Sequence, residues 1–468
     1  MVFNSLEYAA FLPAVAIAYW RMGHRARLWL LLAASYAFYG SWDWRFLSLI
    51  ILSTIVDFLV ARGIAASDDD RRRKRLLLVS LGVNLGILGF FKYFGFFVDS
   101  AEEMLAGVGL GVSGPTLDIL LPVGISFYTF QTLSYTLDVY RRRLEPTRDW
   151  LVFAVFVAFF PQLVAGPIER ARHLLPQFQT PRPVPTRDDV WSSLHLIGLG
   201  LVKKVVVADG LAPHVNTAFA TSGEAGWVAL LVAMFAFSLQ IYGDFSGYSD
   251  IARGSARLLG IDVMQNFTQP HLSRNIGEFW RRWHVSLSTW LRDYVYIPLG
   301  GSRGARVLTY RNLFLTMLIG GLWHGAAWTF VVWGAIHGIL LGINHLRGKR
   351  FDDDAAVGWA DLPALLWTWT LVAGALVVFR SGSMSQVAEV FTGILTLRAG
   401  PVPQDAVVAL LVLGGLMFAI DLLQRAMGDE VAVLRWPTIP RSFAHGMAAV
   451  GLIVFSGGAP VPFIYFQF

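Results

Sequence analysis

Three histidines stand in a run that is otherwise free of ionisable side chains, NLFLTMLIGGLWHGAAWTFVVWGAIHGILLGINHL, residues 312–346. His324 is flanked by Gly321, Trp323 and Gly325, and His337 and His345 lie further on. A neutral imidazole with an ordinary pKa near 6.5 can take the proton of a hydroxyl at pH 7. Left unbonded in apolar surroundings, a polar group costs about 2–7 kcal/mol. A histidine here therefore faces a cavity or a partner, or is a packing group bonded to a carbonyl. His337 and His345 lack a comparable glycine setting and are read as packing residues. Another histidine, His284, lies upstream in FWRRWHVSLSTW. His271 and His284 fit neither H-E-x-x-H nor another helical ligand pair, so no metal is expected. The chain has no cysteine, which excludes an acyl-cysteine intermediate, cysteine-ligated zinc and structural disulfides. Any base or nucleophile must be His, Ser, Thr, Tyr, Lys or a carboxylate.

The elements that must position these groups are membrane helices. Hydrophobic residues make up 55% of the 468 and charged ones 15%, against about 25% charged in a soluble domain. Tryptophans near the ends of apolar runs (Trp20, Trp42, Trp44, Trp191) mark interfacial belts. The chain is thus an all-α polytopic membrane protein, read as a single integral-membrane domain over 1–468. The first run is expected to be a retained helix, since it lacks a basic n-region and a small-residue cleavage site. Basic clusters at 21–27 and 71–75 are separated by two spans and place both loops in the cytoplasm. The segments 141–149 and 170–189 are also basic, with one apolar run, 150–166, between them. Both are cytoplasmic only if that run dips in and returns, which the bilayer tolerates where protein or a water-filled cavity receives it. As one helix, 312–346 would be about 52 Å long, too long for a hydrocarbon core of about 30 Å. A break is expected at Gly320, Gly321 and Gly325, leaving His324 near mid-membrane at a helix discontinuity.

The densest polar block is 242–311, read as a cytoplasmic or interfacial catalytic-side segment. From 251 to 311 nine Arg stand against Asp262, Glu278 and Asp293, an excess of six positive charges. Such a segment touches anionic lipid or steers an anionic, phosphorylated donor; nucleic acid is not expected. GEFWRRWHVSLSTWLRDYVYIPLGG reads as one amphipathic helix ending at Pro298 and Gly300, with Trp280, Trp283 and Trp290 at the interface and Arg281, Arg282, Arg292 and Asp293 on its wet side. Asp244, Ser246, Tyr248 and Asp250 in GDFSGYSD are candidate donor or acceptor contacts, or else form a capped helix start. Asn275, Trp283, Arg292 and Trp323 are further binding candidates. Lys203 and Lys204 either meet donor phosphates or snorkel at a helix end. Pro122 and Gly124 open an aromatic-rich helix read mainly as packing.

These residues carry a resemblance. FWRRWHVSLSTWLRDYVYIPLGG followed by GGLWHGAAWTFVVWGAIHG resembles the membrane-bound O-acyltransferase family, in its bacterial exopolysaccharide branch. MVFNSLEYAAFLP, LPVGISFYTFQTLSYTLDVYR, FPQLVAGPIERARHLLPQF, QIYGDFSGYSDIARGSARLLGI and PFIYFQF extend it almost end to end, with 350–362 and 397–404 as variable loops. The resemblance implies a ring of transmembrane helices around a thinned centre, with re-entrant segments and a tunnel. It implies acyl transfer from a cytoplasmic thioester to a hydroxyl, with His324 and His284 as the motif histidines. It further implies no bound cofactor, acetyl-CoA or another acyl thioester as donor substrate, and an exported polysaccharide such as alginate as acceptor. Periplasmic or membrane-anchored acetyltransferase partners and a multi-pass place in the bacterial inner membrane complete that expectation. His324 then acts as general base or as an acyl relay. Backbone amides at Gly320–Gly325 or the Trp323 ring N–H are the candidate oxyanion donors. Two alternatives stay open: a D-alanyl transferase of teichoic acids fed by a carrier protein, and a lipid-linked sugar flippase.

Overall fold

The computed structural model describes residues 1–457 and 462–464, except 112, 113, 115, 116, 118, 165 and 349–356. The last four residues of PFIYFQF and most of the 350–362 loop lie outside the described residues. Helices α1 (Leu6–Trp20), α2 (His24–Asp43), α3 (Leu47–Ala65), α4 (Asp70–Leu88), α5 (Phe94–Gly107), α6 (Ile125–Tyr140), α7 (Trp150–Ala158), α8 (Phe160–Leu163), α9 (Ala171–Gln179) and α10 (Arg187–Leu201) come first. There follow α11 (Asp209–Ala220), α12 (Trp227–Leu258), α13 (Ile276–Arg282), α14 (Val285–Leu291), α15 (Arg306–His324), α16 (Trp328–Arg347), α17 (Leu362–Arg380), α18 (Met384–Leu395), α19 (Gln404–Met427) and α20 (Thr438–Phe455). The described residues form helices and connections without strands. Eight helical stretches among them are long and apolar enough to cross a membrane. The protein is a multi-pass, all-helical membrane protein. Trp42, Trp44 and Trp191 are exposed, as belt residues should be.

One compact unit comprises residues 1–190 and 255–264. Its first long apolar stretch breaks at Asp43, whose extended backbone (φ −158°, ψ 109°) separates α2 from α3. The Asp43 carboxylate accepts the Arg45 amide at 3.0 Å and so caps the turn between them. Gly124, at φ 74°, opens α6, whose side chains are nearly all buried. The described residues of the run 150–166 hold two short helices, and the nine residues of α7 rise only about 13–14 Å. Neither helix is long enough to cross a hydrocarbon core of about 30 Å by itself.

The other unit holds residues 191–254 and 265–468. Here several expectations are corrected. GDFSGYSD is not a helix start but the interior of the 32-residue α12. Gly243 and Gly247 in it face the backbone of Lys203, Lys204 and Gly200 so closely that any Cβ would overlap. Lys203 and Lys204 neither snorkel nor offer themselves to phosphates. Both are buried, Lys203 paired with Asp250 at 2.7 Å and Lys204 with Asp244 at 2.6 Å and Asp209 at 2.8 Å. A charge removed from water is tolerated only when paired in this way.

The expected amphipathic helix is also replaced. It breaks at Trp283–His284 into α13 and α14, and Trp280, Trp283 and Trp290 are buried instead of lying at an interface. Arg282 is drawn inward with them, 3.2 Å from buried Glu278 and donating to the Thr268 carbonyl at 3.0 Å. The apolar periodicity runs across a residue that does not continue the helix: His284 takes φ 44°, ψ 53°.

Candidate active site

His324 is the last residue of α15. Gly325 follows in extended conformation (φ −160°, ψ 155°), its amide bonded back to the Gly321 carbonyl, and α16 starts at Trp328. The expected break is therefore present, but at Gly325 alone. Gly320 and Gly321 continue the helix, and Gly321 serves a different purpose. A Cβ there would overlap the Phe330 carbonyl oxygen and press on Gly334, so the bare glycines let α15 and α16 meet backbone to backbone. Close approach brings two side chains of α16 to His324. Trp333 lies with its ring centroid 5.0 Å from His324, and His337, one turn on, lies 4.7 Å from Trp333.

The remaining walls come from three other helices. Phe379 of α17 meets His324 edge-on at 5.4 Å. Phe279 and Trp283 of the α13 segment stack at 5.4 Å, and Ile241 of α12 adds an aliphatic face. Together with Val372 and Leu376 these groups line a narrow cavity of about 10 Å³, barely the room of one water molecule, onto which His324, Trp333 and His337 open. Its lining is apolar and aromatic, with the two imidazoles and the Trp333 indole as the polar groups that converge on it.

His284 approaches from the turn between α13 and α14. Its left-handed backbone is uncommon for a residue with a Cβ. Asn266 clamps the turn, its carbonyl accepting the Val285 amide at 2.9 Å and its side chain the Ser286 amide at 3.1 Å. The imidazole is fully buried, its centroid 4.7 Å from Phe245, 5.8 Å from Trp323 and 6.4 Å from His324. The two histidines, 40 positions apart in the chain, thus meet in one aromatic cluster.

The other candidates separate. Trp323 and Trp283 join the cluster, and Trp283 lines the cavity. Asn275 caps α13, its side-chain oxygen accepting the Glu278 amide at 2.9 Å. Arg292 is exposed and paired with Asp293 at 2.8 Å. Asp244 accepts the Ile464 amide at 2.7 Å in addition to its lysine, and Ser246 is buried within α12. None of these four is among the residues lining the cavity. Among the described residues no group of three or more His, Cys, Asp or Glu could hold a metal.

Two further residues belong here, Asn266, which the sequence reading did not single out, and His337, which it read as packing. Asn266 had no signal beyond its type. His337 had one: it follows Trp333 by four positions, the spacing that puts both on one helical face. The indole N–H of Trp280 donates to His337 Nδ1 at 3.2 Å.

Residues 147–363 match the model of MBOAT, the membrane-bound O-acyltransferase family. The chain is 43% identical over 402 residues to a probable alginate O-acetylase AlgI of Pseudomonas putida, covering 84% of this chain and 79% of that protein. The chain belongs to the membrane-bound O-acyltransferase family. It is an enzyme, an O-acyltransferase. A peptidoglycan O-acetyltransferase of Helicobacter pylori is 33% identical, over 85% of this chain and 80% of the relative. A teichoic acid D-alanyltransferase of Streptococcus thermophilus is 31% identical over 60% and 70%. The matched segment includes α13 to α16, and with them His284, His324 and His337.

Proposed function

We propose that this O-acyltransferase moves acetyl groups from a cytoplasmic thioester, acetyl-CoA, toward hydroxyls of an exported polysaccharide such as alginate, with His324 as general base. The observation that carries the reading is His324 itself: a buried imidazole at a helix break, lining a narrow apolar cavity beside a second buried histidine. A hydroxyl is a poor nucleophile at pH 7, and a positioned base contributes about 10²–10⁴-fold to its attack. His284, locked by Asn266, closes the other side of the cluster and orients the acceptor. The higher identity and coverage of the acetylating relatives favour acetyl over D-alanyl.

An anionic donor is supported by charge placement. Of the arginines in 251–311, Arg253, Arg274 and Arg282 are used in buried pairs with Glu430 and Glu278. Arg281, Arg292, Arg303, Arg306 and Arg311 remain exposed, a field that attracts the phosphates of coenzyme A. By this reading the protein sits in the inner membrane and hands acetyl to acetyltransferase partners at or beyond it.

Cells making His324→Ala, compared with wild type at matched membrane levels, are expected to yield a normal amount of polymer with at least a hundredfold less alkali-released acetate. Undiminished acetate would exclude His324 as the base. Lost polymer would instead support a sugar flippase.

A further inference from the structure

The transfer written above creates a negative charge that His324 cannot hold. As the acceptor oxygen adds to the thioester carbon, its proton passes to His324 and the carbonyl π pair moves onto the carbonyl oxygen. Collapse re-forms C=O, breaks the C–S bond and returns the proton from His324 to the leaving sulfur, giving an acetyl ester and a thiol. Between the two steps the oxyanion needs fixed N–H donors. The amides of Gly320, Gly321 and Gly325 cannot supply them. Gly320 and Gly321 lie inside α15, where amides are held in the helical ladder, and the Gly325 amide is bonded to the Gly321 carbonyl.

Two side-chain donors on α16 line the same cavity as His324. Indole nitrogen is a donor only. Trp280 Nε1–H therefore meets His337 at an unprotonated Nδ1, which places the proton of the neutral ring on Nε2. A protonated imidazolium would set two N–H groups against each other. Trp280 thus makes His337 a fixed donor and bars it from accepting at Nδ1. The second donor is Trp333 Nε1–H. It is buried, and among the described residues it has no hydrogen-bond partner. A buried donor without an acceptor is costly, and a native structure that keeps one needs a reason.

Resting on the proposed acyl-transfer reading, we infer that His337 Nε2–H and Trp333 Nε1–H are the pair that holds the thioester carbonyl oxygen as it becomes an oxyanion. The roles divide by helix: α15 brings the base and α16 brings the donors. The indole of Trp280 is a positioning group that sets the tautomer of His337.

The test measures transfer of labelled acetyl from acetyl-CoA to alkali-deacetylated exopolymer by membrane vesicles, at matched amounts of monodisperse protein. His337→Gln keeps both functions of the ring, an amide oxygen toward Trp280 and an N–H toward the cavity, but cannot act as a base. It is expected to retain kcat within about tenfold. His337→Phe and Trp333→Phe keep an aromatic ring without the N–H, and each is expected to lower kcat by about 10²–10³-fold with KM for acetyl-CoA unchanged. If His337→Phe matched or exceeded His337→Gln, His337 would be a packing residue. If both were equally dead while still folded, it would be a proton carrier. Either result overturns the assignment. His324→Ala at the wild-type rate would remove the reading on which it rests. His324→Ala inactive beside fully active phenylalanine variants would overturn this inference alone.

Discussion

His173 shows how one side chain outside the membrane-spanning segments can tie stability to pH. Its Nδ1 lies 2.9 Å from Glu169, which is fully buried, and its Nε2 lies 3.3 Å from Asp262. Hydrogen bonds to Asp262 and Glu169 raise its pKa to about 10. Burial moves Glu169 upward too, with His173 pulling against it. Both folded-state values lie above the unfolded ones, so both groups bind protons more tightly in the folded state. The stabilisation from His173 is complete below its unfolded value of about 6.5 and is lost as pH climbs toward 10. The thermal midpoint of the detergent-solubilised protein is therefore expected to fall between about pH 6.5 and 10. His173→Gln, which keeps a hydrogen-bonding side chain without the charge, should flatten that slope while lowering the midpoint at pH 6.5. An unchanged slope would mean that the ring is not protonated in the fold. The half-exposed position of His173 makes this a contribution of modest size.

At the scale of elements, the α15–α16 pair is where sequence and structure meet most closely. The length of 312–346 demanded a break and Gly325 supplied it, because a 35-residue run exceeds what one bilayer crossing can hold. The purpose of Gly321 was not legible, since a glycine in a helical run signals either flexibility or close approach and only coordinates distinguish them. The α13–α14 break was missed for a related reason: nothing in the letters FWRRWHVSL marks His284 for a left-handed backbone, which Asn266 imposes from 18 positions away. The pairing of Lys203 and Lys204 with carboxylates of α12 was equally hidden, being long-range in sequence. Gly321→Ala forces its Cβ against the backbone of Phe330 and Gly334, which must shift. It is expected to cost about 1–3 kcal/mol, the range for overpacking a tight contact, and to depress acetyl transfer by displacing His324 three residues on. Gly342→Ala in α16 meets only Tyr310 Cδ1, at 3.9 Å. It should be neutral or stabilising by up to about 1 kcal/mol through helix propensity. Fluorescence-detected thermal unfolding of the two variants separates these outcomes; equal midpoints would show that the helix contact is looser than the glycines imply.

At the scale of the whole molecule, the net charge of +6 matters less than where the charges fall. Positive loops stay in the cytoplasm, and three such stretches, around 68–75, 141–149 and 170–189, need to share one side of the membrane. The helices permit it. Between Glu145 and Arg187 the described residues form only α7, α8 and α9, of nine, four and nine residues, none able to cross a core of about 30 Å. From Arg187 the chain then runs as one long candidate span to Ala220, so by this reading Glu224 is expected on the opposite face. The absence of cysteine makes this arrangement directly measurable, because every introduced thiol reports without background. Asp68→Cys, Glu145→Cys, Arg187→Cys and Glu224→Cys all fall at exposed positions. With a membrane-impermeant maleimide, the first three are expected to label in inverted vesicles and stay silent in spheroplasts, and Glu224→Cys to do the reverse. Labelling of Glu145→Cys and Arg187→Cys from opposite faces would mean that the 150–166 segment crosses the bilayer. In that event one basic stretch would face the periplasm against the charge rule. The exposed arginines that follow Arg274 could then no longer be assigned to the donor side from loop charge alone. Labelling from a common face would leave the coenzyme A phosphates, the basic stretch that attracts them and the base at the end of α15 in the order that a cytoplasmic donor requires.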